Sequence, residues 1–242
     1  MTSYDQPKQS VVRALFGRIA PRYDLLNRIM TFGQDGSWRK QAIRQLHVHA
    51  KKRLLDVGAG TGDLSLMIAK ENHDAFIIGL DISPAMLSVA RQRPGSKGIS
   101  WVIADAQHLP FGDGVFDGVI SGFLLRNVTD LIQTIREQAR VLAVEGNWVA
   151  METTPLRNGW LRSFALLHLR FVIPLLGRVI ARNEADYRYL PQSIEDFVSG
   201  EHLADLVVQA GFCEARCNFR MLGTVSIVFG RRCASDQITR QP

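Results

Sequence analysis

Cysteine is scarce in this chain. Three occur in 242 residues, Cys213, Cys217 and Cys233, all late and without paired C-x-x-C spacing. That spacing argues against a disulfide framework and a structural zinc site, and a reducing compartment fits best. Long apolar runs are also missing. No stretch approaches the roughly 18 to 20 apolar residues of a membrane span, and the opening MTSYDQPKQS carries no apolar signal region. The expectation is a cytoplasmic protein, peripheral at most on the inner face of the plasma membrane. His47, His49, His73, His108, His168 and His202 show no ligand spacing with acidic partners, so no metal is expected.

What is present is uneven. The net charge of +6 is concentrated in two regions: residues 1–53 hold 11 basic against 3 acidic side chains, and residues 156–188 hold 6 arginines against Glu184 and Asp186. The intervening and closing segments are acidic. Such basic flanks suit an anionic membrane surface, an acidic ligand, nucleic acid, or merely solvent. With 46% hydrophobic residues the chain is able to bury a core, and its length suits one domain with an embellishment.

Residues 52–152 alternate strand-like runs, RLLDVG, AFIIGLD, ISWVIAD, FDGVISG and NWVAME, with the helix-like DLSLMIAKEN, PAMLSVARQ and DLIQTIREQARVL. Asp63, Ser83 before Pro84, and Asp130 read as helix starts. The pattern predicts an α/β fold with a doubly wound, mostly parallel sheet. Residues 10–46 read as helical, and 156–182, apolar and punctuated by arginine, break the βα rhythm. A helix near 201–210 and two strands, AGFCEARCNF and GTVSIVFGRR, close the chain; the final CASDQITRQP reads as frayed.

The stretch LLDVGAGTGD (54–63) runs a strand through a glycine-rich turn into a helix. Gly58, Gly60 and Gly62 allow a ligand close to the backbone. The dinucleotide fingerprint G-x-G-x-x-G places a pyrophosphate at the helix start. Here the order is G-x-G-x-G-D, and Asp63 puts negative charge where that pyrophosphate would lie, favouring a phosphate-free, cationic cofactor. Asp81 ends the second strand, 25 residues after Asp56, positioned to accept from ribose hydroxyls or to cap the helix near Ser83. Asp105 and Ala106 follow the third strand, suited to an adenine amino group and ring, Asp105 equally to a turn. Together these three signals point to S-adenosylmethionine.

With RYDLLNRIMTFGQDGSWR (22–39), LLDVGAGTGDLS, GLDISPAML, ADAQHLPFGDGVFD, LLRNVTD (124–130) and ADYRYLPQSIEDF (185–197), the chain resembles the ubiquinone and menaquinone biosynthesis C-methyltransferases over nearly its whole length. The glycine turn and the LPF…FD block are common to many methyltransferases; YD..N….W, LRNV and YRYLP.SI are more specific. Departures are small: Leu26, Thr31, Asp35 and Leu124 replace the methionine, serine, histidine and glycine usual there. Gly122 stands where a serine often lies near the cofactor, and AVEGN replaces K-P-G-G before the fifth strand.

The resemblance implies a class I S-adenosylmethionine-dependent methyltransferase with a seven-stranded sheet. It implies one domain, with a helical cap (1–50), a cofactor-binding core (51–155), an apolar and basic insertion covering the substrate (156–190), and a closing helix and strands (191–242). The cofactor residues are Asp56, Gly58, Gly60, Thr61, Gly62, Asp81, Asp105 and Ala106. The acceptor is a prenylated quinol, demethylmenaquinol in the first instance and 2-methoxy-6-polyprenyl-1,4-benzoquinol in the second; another small-molecule methyltransferase is the remaining alternative. Arg126 and Asn127 are assigned to the developing phenolate, against a reading in which Arg126 pairs with Asp130 and Asn127 caps the next helix. Tyr23 orients the ring or passes a proton, or else packs its helix. The segment 159–182 is expected to hold the isoprenoid tail and touch lipid headgroups, or to pack as an ordinary helix pair. Nucleic acid is not an expected partner, given no aromatic-basic interleaving and no N-P-P-Y motif. A homodimer stays open.

Overall fold

The computed structural model describes residues 5–47, 52–155 and 192–234. Three helices come first, α1 Asp5–Ile19, α2 Tyr23–Met30 and α3 Asp35–Gln45. An alternating series follows: β1 Arg53–Val57, α4 Asp63–Glu71, β2 Phe76–Asp81, α5 Pro84–Gln92, β3 Ile99–Ile103, β4 Phe116–Gly122, α6 Leu131–Val141 and β5 Leu142–Thr153. After the undescribed 156–191 come α7 Gly200–Gln209, β6 Phe212–Arg220 and β7 Val225–Arg232. The expected insertion, 156–182, lies outside the described residues, as do 235–242 of the tail.

The seven strands form one sheet in the order β3-β2-β1-β4-β5-β7-β6. Strands β1 to β5 pair in parallel, and β7 is antiparallel to both β5 and β6. The polarity follows from the connections. Helices α4, α5 and α6 carry the chain back before β2, β3 and β5, and the long connection 104–115 does so before β4, whereas β6 turns into β7 through only Met221–Gly223. The chain order reverses between β1 and β4, so their carboxyl ends flank the crevice where doubly wound sheets bind ligands.

Both faces of the sheet are covered. Trp38, Ala42 and Ile43 of α3 and Leu64 and Ile68 of α4 pack on one face; Ile135 and Ala139 of α6 and Leu203 and Val207 of α7 pack on the other. In β1, Leu54, Leu55 and Val57 are fully buried. Each such side chain stabilises by about 1.5–3 kcal/mol, which outweighs the cost of burying Asp56 between them.

The helix starts are local chemistry. Ser83 accepts from the Met86 amide ahead of Pro84, and Asp130 accepts from the Gln133 amide at 2.8 Å. Asp63, expected as a cap, is instead the first residue of α4, preceded by Gly62 in the left-handed region. One sequence expectation is corrected: Cys213 is joined to Cys233, their Cα atoms 4.9 Å apart, leaving Cys217 as the free thiol. The strand ends meet only in the folded sheet, which sequence spacing does not reveal.

Candidate active site

The glycine loop leaves the carboxyl end of β1 and is fastened to its neighbour. The amides of Gly58 and Ala59 donate to the Leu80 carbonyl at 2.7 and 2.8 Å. The Gly60 amide donates to Asp81 Oδ2 at 2.8 Å, and Ser83 N–H donates to Asp81 Oδ1 at 2.8 Å. Asp81 thus anchors Ser83, which itself caps α5, and also borders the cavity over the loop. Burial raises its pKa, opposed by the amides of Ser83, Gly60 and Ile82.

Two glycines show why the loop needs them. Gly62 has φ +87°, and a Cβ there would fall 2.6 Å from Trp101, so the helix start is both left-handed and tight. Gly60 has φ +56°, with nothing within 4 Å of its missing Cβ. The first glycine lets protein pack on protein. The second leaves open space on the ligand side.

Asp56 is fastened to the first turn of α4. Its Oδ2 accepts from the Ser65 amide at 3.1 Å and the Ser65 hydroxyl at 2.6 Å. Its Oδ1 is buried with no partner. Desolvation raises its pKa to about 6, against those two hydrogen bonds and the attraction of Arg39. An orphaned buried carboxylate oxygen beside a glycine cradle fits the ammonium of an amino-acid-bearing donor, because an unmade hydrogen bond at such an atom costs about 1–3 kcal/mol.

Asp105 accepts from the Gln107 amide at 3.0 Å, the turn geometry its alternative reading described. Ala104, Ala106 and Gln107 border the cavity. Thr61 does not face that space; its hydroxyl donates to Asp24 Oδ1 of α2 at 2.5 Å. Asp24 also pairs with Arg93, 3.2 Å away, which reaches Asp63 at 2.6 Å and the Thr61 carbonyl at 2.9 Å. Asp63 meets a second guanidinium, Arg39, at 3.3 Å. The negative charge of Asp63 is therefore met by two arginines, and the electrostatic argument from that residue against a pyrophosphate loses its force.

On the acceptor side the chain leaves β4 through Phe123, whose φ is +59° and whose amide donates to the Met151 carbonyl. This turn delivers the LRNV stretch to the sheet edge. Asn127 borders the cavity and donates to the Phe123 carbonyl at 2.9 Å. Arg126 is 8% exposed and pairs with Glu152 of β5 at 2.9 Å, whereas Asp130 caps α6. Its guanidinium lies over the Phe123 ring, 5.6 Å from the centroid; that of Arg39 lies over the same ring at 5.7 Å. Tyr23 borders the cavity from α2 and touches Phe16 edge-on, the centroids 5.9 Å apart. Burial raises the Tyr23 phenol pKa; a hydrogen bond to Asn27 and the fields of Arg126 and Arg39 pull the other way.

Gly58, Gly60, Asp81, Ala106, Asn127 and Tyr23 therefore border one cavity of about 80 Å³, while Asp56, Thr61, Gly62, Asp105 and Arg126 stand behind its wall. Drug-sized ligands occupy about 300–1,000 Å³; the cavity is smaller than this, with Val12, Phe16 and Tyr23 of the helical cap in its lining. A larger cavity of about 800 Å³ opens between α3 and α4 beyond the Arg39–Asp63–Arg93 cluster, away from Gly60 and Asn127. Arg39, Arg93, Asp24, Phe123 and Glu152 were missed as site residues. The first three lie in or near quoted motifs, but only their mutual contacts give them a role. Among the described residues no group of His, Cys, Asp and Glu side chains is arranged to hold a metal.

Comparison with known proteins agrees with this geometry. A ubiquinone/menaquinone biosynthesis C-methyltransferase of Desulfotalea psychrophila is 41% identical over 219 residues, 90% of this chain and 89% of that protein. The demethylmenaquinone methyltransferase of Thermus thermophilus is 40% identical over 220 residues, 90% of this chain and all of that one. Among solved structures, a Thermotoga maritima SAM-dependent methyltransferase described as a possible histamine N-methyltransferase superposes with a TM-score of 0.64 at 20% identity, covering 91% of this chain and 99% of its own. That likeness shows the class I methyltransferase fold. The family model matched over residues 2–232 settles the membership: the chain belongs to the ubiE/COQ5 methyltransferase family.

Proposed function

We propose that the chain transfers the methyl group of S-adenosylmethionine to a ring carbon of demethylmenaquinol, a step of menaquinone biosynthesis. The observation that carries this reading is that residues of the donor motif, Gly58 and Gly60, and of the family-specific motifs, Tyr23 and Asn127, border one cavity at the carboxyl edge of the sheet. The donor supplies an electrophilic sulfonium methyl when bound. Gly60 and Asp81 hold the loop against which it lies, and Asp56 Oδ1 takes its ammonium.

The chain's own residues act on the acceptor. A reduced quinol is nucleophilic at carbon, more so as a phenolic proton leaves, whereas the oxidised quinone is not. Arg126 remains protonated and is a poor base; with Asn127 it stabilises the developing phenolate, directly or through a water that takes the proton. A preorganised donor of this kind is worth about 10²–10³ in rate. Tyr23 orients the ring from above. Aligning ring carbon, methyl and sulfur contributes up to roughly 7–11 kcal/mol.

The acceptor is lipid-borne, and peripheral membrane contact belongs to the same proposal. Supporting it, α2 and its neighbours expose Val11 (56%), Leu25 (54%), Ile29 (37%) and Phe32 (69%) beside the exposed Arg18, Arg22 and Arg28. The division into cap, core, insertion and closing segment is proposed on the same footing, with the tail over 156–190. Incubating the enzyme and S-adenosylmethionine with each reduced quinol, followed by mass spectrometry, tests the acceptor. One added methyl on demethylmenaquinol is expected. Methylation of 2-methoxy-6-polyprenyl-1,4-benzoquinol alone would overturn the assignment, as would none on either.

A further inference from the structure

Glu152 is an anomaly in β5. The residues before it, Val149, Ala150 and Met151, are apolar and fully buried, and Glu152 is equally buried at 0% exposure. A carboxylate fully buried at the carboxyl end of an inner strand is costly, and a buried ion pair is often no more stable than well-packed apolar residues of similar volume. Stability alone does not account for it.

Its contacts give another reason. Oε1 accepts from the Leu125 amide at 2.5 Å, and Oε2 accepts from Arg126 Nη1 at 2.9 Å. One side chain therefore holds both the backbone and the guanidinium of the LRNV turn, from a strand 26 residues further along the chain. Phe123, the ring under that guanidinium, borders the cavity, and so does Asn127. The Arg126 Nε is buried and has no hydrogen-bond partner among the described residues. One edge of the guanidinium is thus fastened while another donor is left unused.

We propose that Glu152 is a positioning residue that fixes Arg126 behind the acceptor end of the cavity, against the Phe123 ring that borders it, and, through Arg126 alone, sets the rate of methyl transfer. The proposal rests on the assignment of Arg126 to the acceptor phenolate. Glu152 is not itself the base: each of its oxygens already accepts a hydrogen bond, from the Leu125 amide and from Arg126. Burial raises its pKa above the usual carboxylate range, and the charge and hydrogen bond of Arg126 oppose that rise.

The test is a cycle of Glu152→Gln, Arg126→Gln and the double variant in the full chain, using whichever quinol the unaltered enzyme methylates. Steady-state kcat is measured, with S-adenosylmethionine affinity by calorimetry as the check that the cofactor half is intact. Glu152→Gln is expected to lower kcat about 10- to 100-fold, the loss a displaced group near the chemistry produces, with donor affinity changed less than about twofold. In the Arg126→Gln background the same substitution should change kcat by less than about twofold, because the group it positions is gone. Losses that multiply in the double variant, or a Glu152→Gln enzyme with unchanged kcat, would overturn the proposal. Should Glu152→Gln fail to bind donor, Glu152→Asp decides: the charge is kept but withdrawn by one methylene, so reduced kcat at unchanged donor affinity supports positioning and full kcat refutes it. Failure of the unaltered enzyme to methylate either quinol would instead count against the acceptor assignment.

Discussion

Asp56 is a residue whose pH behaviour separates folding from binding. Its pKa rises from 3.8 to about 6 because the carboxylate is desolvated between β1 neighbours. Between those values the folded chain holds a proton that the unfolded chain has released, so this residue's contribution to stability improves as pH falls from about 6 towards 3.8. Above about 6 the buried anion is a constant penalty. Asp56→Asn is therefore expected to raise the unliganded protein's stability at pH 7 by on the order of 1–3 kcal/mol, seen as a higher Tm. Donor affinity should move oppositely. In the natural chain it should weaken as pH drops through about 6, and in the Asn variant it should be weak and lack that step. An Asn variant with native affinity and pH profile would remove Asp56 from donor binding. That Asp56 stands near the end of β1, just before the glycine loop, was legible from the sequence. That one of its oxygens is spent on Ser65 and the other left bare was not, since sequence gives no side-chain direction.

At the scale of elements, the glycine loop joins two roles that its sequence presents as one. Substituting Gly62→Ala brings a Cβ to 2.6 Å from Trp101 in a left-handed conformation. The result should be a loss of about 1–3 kcal/mol, as overpacking produces, with the lowered Tm measured in the absence of ligand. Gly60→Ala meets no atom within 4 Å, so only the left-handed backbone penalty of about 1–2 kcal/mol applies. Its larger effect should be on calorimetric donor affinity, because the new methyl occupies the ligand side. Equal stability losses with equal donor affinities would contradict this division. The βα elements themselves were readable: Pro84–Gln92 is the helix its capping serine and proline predict. The packing of α2 was not. Asp24 bonds to Thr61 across 37 residues and meets Arg93 besides, contacts that helical periodicity alone cannot specify.

For the whole molecule, the decisive relation is between the basic N-terminal third and the substrate's origin. No helix among the described residues is long and apolar enough to cross a membrane. An exposed apolar set flanked by arginines instead suits the headgroup layer, at about 1 kcal/mol per basic residue near an anionic surface. Liposome sedimentation should show binding that rises with anionic lipid, falls with salt, and weakens in Leu25→Glu/Ile29→Glu. Binding unchanged in that variant would move the contact elsewhere, and no binding to any vesicle would remove it.

By itself the sequence determined the doubly wound sheet, the glycine loop between its first strand and helix, the two closing strands and the family, because periodicity, capping residues and local motifs are written in contiguous stretches. Only the tertiary structure decided which side chains answer one another: Glu152 with Arg126, Arg93 with Asp24 and Asp63, Arg39 and Arg126 over one ring, Cys213 with Cys233. Those pairings join residues 20 or more positions apart along the chain. Such contacts exist only once the sheet has closed.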